Sequence, residues 1–125
     1  MIAHARLEAP NECCGLLVGQ PGLVDEIARC TNLDSSPVRY RLDPQQHIDA
    51  NKRLRHTDRS VVGVYHSHPR SPAIPSSRDI AEAHYPGFVW IVVSLADPLA
   101  PDVRGYTIAE GVATAVAIET IARCL

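Results

Sequence analysis

The hydrophobic residues of this chain occur in short runs of the length and composition typical of β-strands. The runs are rich in branched and aromatic side chains, and Gly, Pro, Asn, Asp and Ser separate one run from the next. Around Glu110 and Gly111 the apolar and polar positions alternate on both sides, which predicts a hairpin. The predicted strands are residues 15–19, 23–30, 60–68, 88–95, 103–109 and 112–118.

Three other stretches are predicted to be helical. The first, residues 2–9, is stopped by Pro10, because proline cannot continue a helix. The second is polar and runs from Pro44 to about His56, with the proline in the first turn, where its missing N–H does no harm. The third is short and begins at Ser76. Residues near one face of this third helix are Ile80, Ala81 and His84.

The sum of these elements is a single α/β domain spanning residues 1–125, with a mixed sheet and two or three helices. A chain of 125 residues is close to the commonest domain size and can bury one core. The end of the chain fits two structures, because the last predicted strand overlaps a stretch with helical spacing. The residues with that spacing are Ile118, Ile121, Ala122 and Leu125.

Composition and charge narrow the range of partners. The net charge of −2 and a pI near 6.3 give no general attraction to nucleic acid, so we expect no nucleic-acid partner. The apolar runs are too short to span a bilayer, so we expect no membrane partner. The N-terminus lacks a basic region followed by an apolar block, which favours a cytoplasmic protein.

The four cysteines do not indicate a metal or redox site. No two of them form a Cys-x-x-Cys pair, which argues against a zinc finger or a thioredoxin-like motif. Cys13 and Cys14 are adjacent and would point to opposite faces of a strand. We therefore interpret the cysteines as small buried hydrophobes in a reducing compartment.

Two histidines at the end of the strand 60–68 are candidate metal ligands. His66 and His68 are two residues apart, so a strand presents both imidazoles on the same face. Asp79 follows eleven residues after His68, in the first turn of the predicted third helix, from which its carboxylate can point back to the strand end. Two imidazoles and a carboxylate are a common ligand set for catalytic zinc, which keeps a fourth position for water.

Each of these residues also has an ordinary structural explanation. A lone His-x-His pair occurs by chance on many polar surfaces. Ser76 and Asp79 match the capping box that starts a helix. Spacing alone does not single out Glu12 among the 14 acidic residues.

The combination of these residues resembles the JAMM motif of the MPN (Mov34/Pad1) metalloprotease family. That motif is His-x-His, ten residues and then Asp, with Ser three residues before the Asp, and residues 66–79 fit it without a gap. Residues 10–19, PNECCGLLVG, resemble the family's upstream Pro-x-Glu-x-Cys-Gly segment. Two further segments also resemble the family: residues 40–44, YRLDP, and the strand residues 92–94, VVS.

The resemblance implies a fold, a cofactor and a role for each motif residue. The fold is a curved mixed sheet with helices packed against it. One Zn²⁺ per chain would be held by His66, His68, Asp79 and a water. Glu12 would be the general base and then the general acid, and Ser76 would steady the oxyanion.

The resemblance also implies a substrate class. The segments 79–88 and 96–102 are too short for the insertions with which eukaryotic members grip ubiquitin chains. The compact form is similar to bacterial members that act on ubiquitin-like sulfur-carrier proteins. The first hypothesis is therefore a peptidase or isopeptidase that cuts after a carrier's C-terminal Gly-Gly. The alternatives are a zinc hydrolase acting on an unrelated small substrate, or an MPN binding module with little turnover.

Overall fold

The computed structural model describes residues 1–121, which form one six-stranded sheet with helices on both faces. The strands lie in the order β2-β1-β3-β4-β5-β6, and only β3 and β4 run parallel. This arrangement confirms the predicted mixed sheet and α/β class. The elements in chain order are α1 (Ile2–Glu8), β1 (Cys14–Gln20), β2 (Leu23–Cys30), α2 (Pro44–Leu54), β3 (Ser60–His68), α3 (Ser77–Ala81), β4 (Val89–Ser94), β5 (Asp102–Ala109) and β6 (Val112–Val116).

Strand β3 is central and buried on both faces. Val64 packs in the core beneath α2, while the neighbouring Tyr65 packs in the core beneath α1. Because side chains alternate along a strand, His66 and His68 lie on the face of Val64, and Ser67 lies on the face of Tyr65. The sequence of β3 thus sends its imidazoles to one side of the sheet only.

Tyr65 explains why glycine occupies position 15 of β1. Gly15 lies directly opposite Tyr65 in the antiparallel β1–β3 pair. A Cβ atom at this position would lie 2.3 Å from the Cε1 atom of the Tyr65 ring. The ring is fully buried, and its hydroxyl is 2.7 Å from Nδ1 of His4 in α1. Glycine here therefore lets one tyrosine join α1 to the centre of the sheet.

We expect Gly15→Ala to lower the free energy of unfolding by about 1–3 kcal/mol, the usual effect of overpacking a core. Gly87→Ala is the matched control, because no heavy atom lies within 4 Å of a Cβ there. The control is expected to be neutral or slightly stabilising. Urea unfolding of both variants measures the difference. Equal stability of the two would show that the Tyr65 ring moves aside without cost.

The structure moves three element boundaries by two or more residues, and the other predicted boundaries are within one residue of those observed. Helix α2 ends at Leu54 and not near His56, because Arg55 is extended and His56 has a φ of 66°. Helix α3 ends at Ala81, so His84 lies outside it. The last strand ends at Val116 and not at 118, and residues 117–121 form no helix. Ala122 and Leu125, on which the helical alternative also rested, lie outside the described residues.

Within the described part of the chain, no helix is both long and apolar enough to cross a membrane.

Candidate metal centre

The two histidines of β3 meet at the C-terminal end of the strand. The Nε2 atoms of His66 and His68 are 3.1 Å apart. The side chains are buried, with only 2% and 4% of their surface exposed. The predicted convergence of the two imidazoles is therefore observed.

Asp79 reaches the same point from α3. Its Oδ2 atom is 3.1 Å from Nε2 of His66 and 3.1 Å from Nε2 of His68. A capping box fixes the start of this helix: the Asp79 N–H donates to Ser76 Oγ at 3.1 Å, and the Ser76 N–H donates to Asp79 Oδ2 at 2.9 Å. The structural explanation for Ser76 and Asp79 is thus correct, and it also places the carboxylate beside the imidazoles.

The loop between β3 and α3 is anchored by its own carbonyl groups. Nδ1 of His68 is 2.8 Å from the Pro72 carbonyl oxygen. Ser94 Oγ donates to the Ser71 carbonyl at 2.6 Å, and the Tyr106 hydroxyl donates to the Ala73 carbonyl at 2.5 Å. The contact with Pro72 requires a proton on Nδ1 of His68, so in the neutral imidazole Nε2 is the nitrogen that can act as a ligand.

Glu12 is brought to the centre by the residue between the two histidines. The Ser67 Oγ accepts a hydrogen bond from the Cys13 N–H at 2.8 Å, and the Ser67 N–H donates to the Cys13 carbonyl at 3.1 Å. Glu12 directly precedes this doubly bonded residue. Only 4% of Glu12 is exposed, and its Oε1 atom is buried without a hydrogen-bond partner among the described residues.

Burial and neighbouring charges shift the pKa values of the groups at the centre. Burial raises the pKa of Glu12 to about 8, and Asp79 adds to that rise while His68 opposes it. Burial would also raise the pKa of Asp79, but hydrogen bonds from His66 and His68 outweigh it and hold this pKa well below its usual range. Burial lowers the pKa of His66. It also opposes protonation of His68, but Asp79 and Pro72 outweigh it and raise that pKa.

The arrangement of these atoms fits a metal ion. The three atoms contributed by His66, His68 and Asp79 form a triangle with sides of 3.1 Å. Four ligands at about 2.0–2.1 Å around a tetrahedral zinc lie about 3.3 Å from each other. The triangle therefore has nearly the size of one face of a zinc tetrahedron.

Two acidic residues compete for the third ligand position. Glu12 belongs to a buried group with the two histidines in which the ligand atoms lie within 4.8 Å of one another. Asp79 is nearer, at 3.1 Å from both imidazoles, and 10% of its side chain is exposed. The shorter distances favour Asp79 as the ligand, and they leave Glu12 beside the centre with an unpartnered oxygen.

The sequence hypothesis gave no role to Tyr40, which the structure places against the centre. The Tyr40 ring stacks on the His66 imidazole, with centroids 4.4 Å apart and planes inclined by 21°. Tyr40 belongs to the segment YRLDP that contributed to the family resemblance. Its contact with His66 spans 26 positions, so no local pattern could reveal it.

A groove of about 420 Å³ lies beside the end of β3. Pro69 and Arg70 line it after the metal strand, and Leu95 and Pro98 line it after β4. Arg6 from α1 closes one side and donates a hydrogen bond to the Pro98 carbonyl at 3.3 Å.

Comparisons with known proteins identify the family of this chain. The sequence profile of a family described as prokaryotic homologs of the JAB domain matches residues 1–108. A CysO-cysteine peptidase of Mycobacterium tuberculosis is 37% identical over 117 residues, which cover 91% of this chain and 80% of that protein. A desampylase of Haloferax volcanii is 34% identical over 101 residues, which cover 75% of this chain and 73% of that protein.

Solved structures give the same result. The solution structure of a Desulfitobacterium hafniense protein matches with a TM-score of 0.83 and 35% identity, and the match covers 93% of this chain and 82% of that one. A JAB1/MPN domain protein of Archaeoglobus fulgidus shares the fold, with a TM-score of 0.62, 21% identity and coverage of 94% and 87%. The chain therefore belongs to the prokaryotic branch of the JAB/MPN family, as its sequence motif predicted.

Proposed function

We propose that this protein is a zinc peptidase or isopeptidase that hydrolyses the bond after the C-terminal Gly-Gly of a ubiquitin-like or sulfur-carrier protein. The observation that carries the proposal is the triangle of His66, His68 and Asp79 in a chain similar to a CysO-cysteine peptidase and a desampylase. The names of both relatives describe enzymes that act on protein conjugates or adducts.

The proposed cofactor is one Zn²⁺ per chain, held by His66, His68 and Asp79. Neutral imidazole and carboxylate are ligands that zinc prefers, and the described cysteines Cys13, Cys14 and Cys30 do not belong to the cluster. When bound, zinc supplies Lewis acidity, which lowers the pKa of water toward about 7 and polarises a carbonyl group.

Glu12 is the proposed proton carrier. One of its carboxylate oxygens lies within 4.8 Å of the ligand atoms of both histidines, where it can accept the proton that water loses on attacking the peptide carbonyl. The same oxygen then returns the proton to the leaving amine. A buried carboxylate with a raised pKa holds a proton more readily than an exposed one, which suits the acid half of this cycle.

Ser76 is the proposed donor to the oxygen that becomes negatively charged. Its Oγ accepts one hydrogen bond from the Asp79 N–H, so the hydroxyl hydrogen is available to a substrate. A donor aimed at developing charge stabilises the transition state more than the ground state.

The test is mass spectrometry of a candidate carrier that carries an extension after Gly-Gly, incubated with the zinc-loaded protein. Release of the extension at that bond supports the proposal. Zinc-chelated protein is the control for metal dependence. Full zinc loading with no cleavage of any Gly-Gly fusion would contradict it and favour a binding module.

The Gly-Gly tail should itself be a specificity determinant. Glycine lets a backbone approach closely, and the proline-rich loop beside the groove is held by hydrogen bonds from side chains of β3, β4 and β5 to its Ser71, Pro72 and Ala73 carbonyls. We expect carriers ending in Gly-Ala-X or Ala-Ala-X to be cleaved at least about tenfold more slowly than Gly-Gly-X, roughly 1.4 kcal/mol in the barrier. Competition assays with the three carriers measure this. Equal rates would place recognition on the carrier's folded body.

A further inference from the structure

The two histidines of the candidate metal centre are held in different ways. His68 is fixed through its second ring nitrogen, because Nδ1 is 2.8 Å from the Pro72 carbonyl oxygen. His66 has no such contact: its Nδ1 atom is buried, and the described residues give it no hydrogen-bond partner. Metal-binding histidines almost always donate this second N–H to an acceptor, which fixes both the tautomer and the ring orientation. Nδ1 of His66 therefore contributes no hydrogen bond to the orientation of the ring, and another contact has to hold this side of the imidazole.

Tyr40 occupies the position from which the His66 ring can be held. The two rings lie face to face, with centroids 4.4 Å apart and an angle of 21° between the planes. A flat ring packed against the imidazole opposes rotation about the Cβ–Cγ bond, because rotation would drive the edge of the imidazole into the tyrosine. Stacked aromatic pairs add about 0.5–1.5 kcal/mol beyond the area they bury, which is enough to favour one orientation.

The loop that carries Tyr40 is tied down on both sides of this residue. Asn32 Nδ2 donates to the Arg39 carbonyl at 3.1 Å, and the Arg41 N–H donates to Asn32 Oδ1 at 3.0 Å. The Leu33 N–H also donates to the Arg41 carbonyl at 2.8 Å. The backbone before and after Tyr40 is thus bonded to one side chain, which limits the freedom of the aromatic ring.

Asn32 connects this loop to the segment of Glu12 as well. Its Nδ2 atom donates a second hydrogen bond to the Glu12 carbonyl at 3.1 Å. The Glu12 N–H in turn donates to the Ser36 carbonyl at 2.8 Å. The loop is therefore part of the framework of the centre, and Tyr40 is its point of contact with a metal ligand.

From this geometry we propose that Tyr40 is a positioning residue that orients His66 for metal binding by ring stacking, in place of the missing hydrogen bond. The inference rests on the proposed zinc site. The flat face of the ring carries the effect, so the hydroxyl group is not required for it. Loss of the ring leaves the ligand in place but free to turn away.

The test compares Tyr40→Phe, which keeps the ring, with Tyr40→Leu, which removes it. Zinc affinity is measured by competition with a chromogenic chelator. We expect Tyr40→Leu to bind zinc about 10- to 100-fold more weakly, the usual effect of losing an orienting partner. Tyr40→Phe is expected to keep the wild-type affinity. Tyr85→Leu is the matched control, because Tyr85 stacks on Phe88 with a similar geometry, 4.6 Å and 19°.

A second measurement uses the zinc-free protein. The imidazole ¹⁵N signals of His66 should report a single environment of the ring in the wild type and in Tyr40→Phe. In Tyr40→Leu they should show exchange between environments. If Tyr40→Leu fails to fold, Tyr40→Met is used instead, because methionine is a long side chain without a flat face. Wild-type zinc affinity in the folded Leu or Met variant would overturn the inference. A wild-type protein that binds no zinc would instead refute the metal site.

Discussion

Asp79→Ala should abolish both zinc binding and peptidase activity. A single oxygen of Asp79 contacts Nε2 of both His66 and His68, so its removal takes away one proposed ligand and a group that aligns the other two. His68→Ala should behave in the same way, because a ligand contributes directly to metal affinity. Zinc content by mass spectrometry and cleavage of a Gly-Gly fusion measure the two effects.

Asp49→Ala is the matched control for this variant. Asp49 is an exposed acid on α2 whose side chain accepts a hydrogen bond from Gln45, and it should keep one zinc per chain and full activity. X-ray absorption of the wild type should show only nitrogen and oxygen ligands. A Zn–S distance near about 2.3 Å would contradict the ligand assignment.

Glu12→Gln should separate metal binding from catalysis. The variant keeps the shape of the side chain but can no longer accept a proton, so we expect full zinc content and a loss of activity of about 10²- to 10⁴-fold. Glu8→Gln, an exposed acid four residues earlier at the end of α1, is the control and should retain activity. Normal turnover by Glu12→Gln would refute the role of proton carrier.

The pKa of Glu12 affects the comparison of zinc affinity between Glu12→Gln and the wild type. Burial raises the pKa of Glu12 to about 8, so near pH 7 the metal-free protein holds a proton on this group. A nearby dication favours the carboxylate form. Zinc binding is therefore expected to favour loss of the proton from Glu12, and affinities of the variants must be compared at one pH.

The sequence predicted the parts of this molecule that follow short-range rules. The alternation of side chains in β3 placed His66 and His68 on one face, and the capping box placed Asp79 at a helix start. Glu12 could be singled out only by resemblance to a family, because the hydrogen bond between Cys13 and Ser67 that places it spans 54 positions of the chain. The same long-range pairing makes Ser67 a support for the segment of Glu12.

Other features of the site were beyond sequence reasoning. Tyr40 is one of four tyrosines, and its stacking on His66 depends on the hydrogen bonds by which Asn32 holds the loop that carries Tyr40. Helix α3 already ends at Ala81, so the helical pattern that continued to His84 was misleading. Patterns in sequence report local periodicity, whereas these features depend on the path of the backbone between elements.

The proposed ligands of the candidate centre lie on elements that differ greatly in their stability against local unfolding. His66 and His68 lie on β3, which is bonded to β1 on one side and β4 on the other, so their amide hydrogens should exchange with solvent only when the sheet unfolds. Asp79 lies on a five-residue helix with no fully buried residue, and a helix of this length is not stable on its own. Local opening of α3 therefore costs far less than opening of β3. A bound metal would join the two, so metal release should begin with fraying of α3, and metal binding should protect α3 more than any strand.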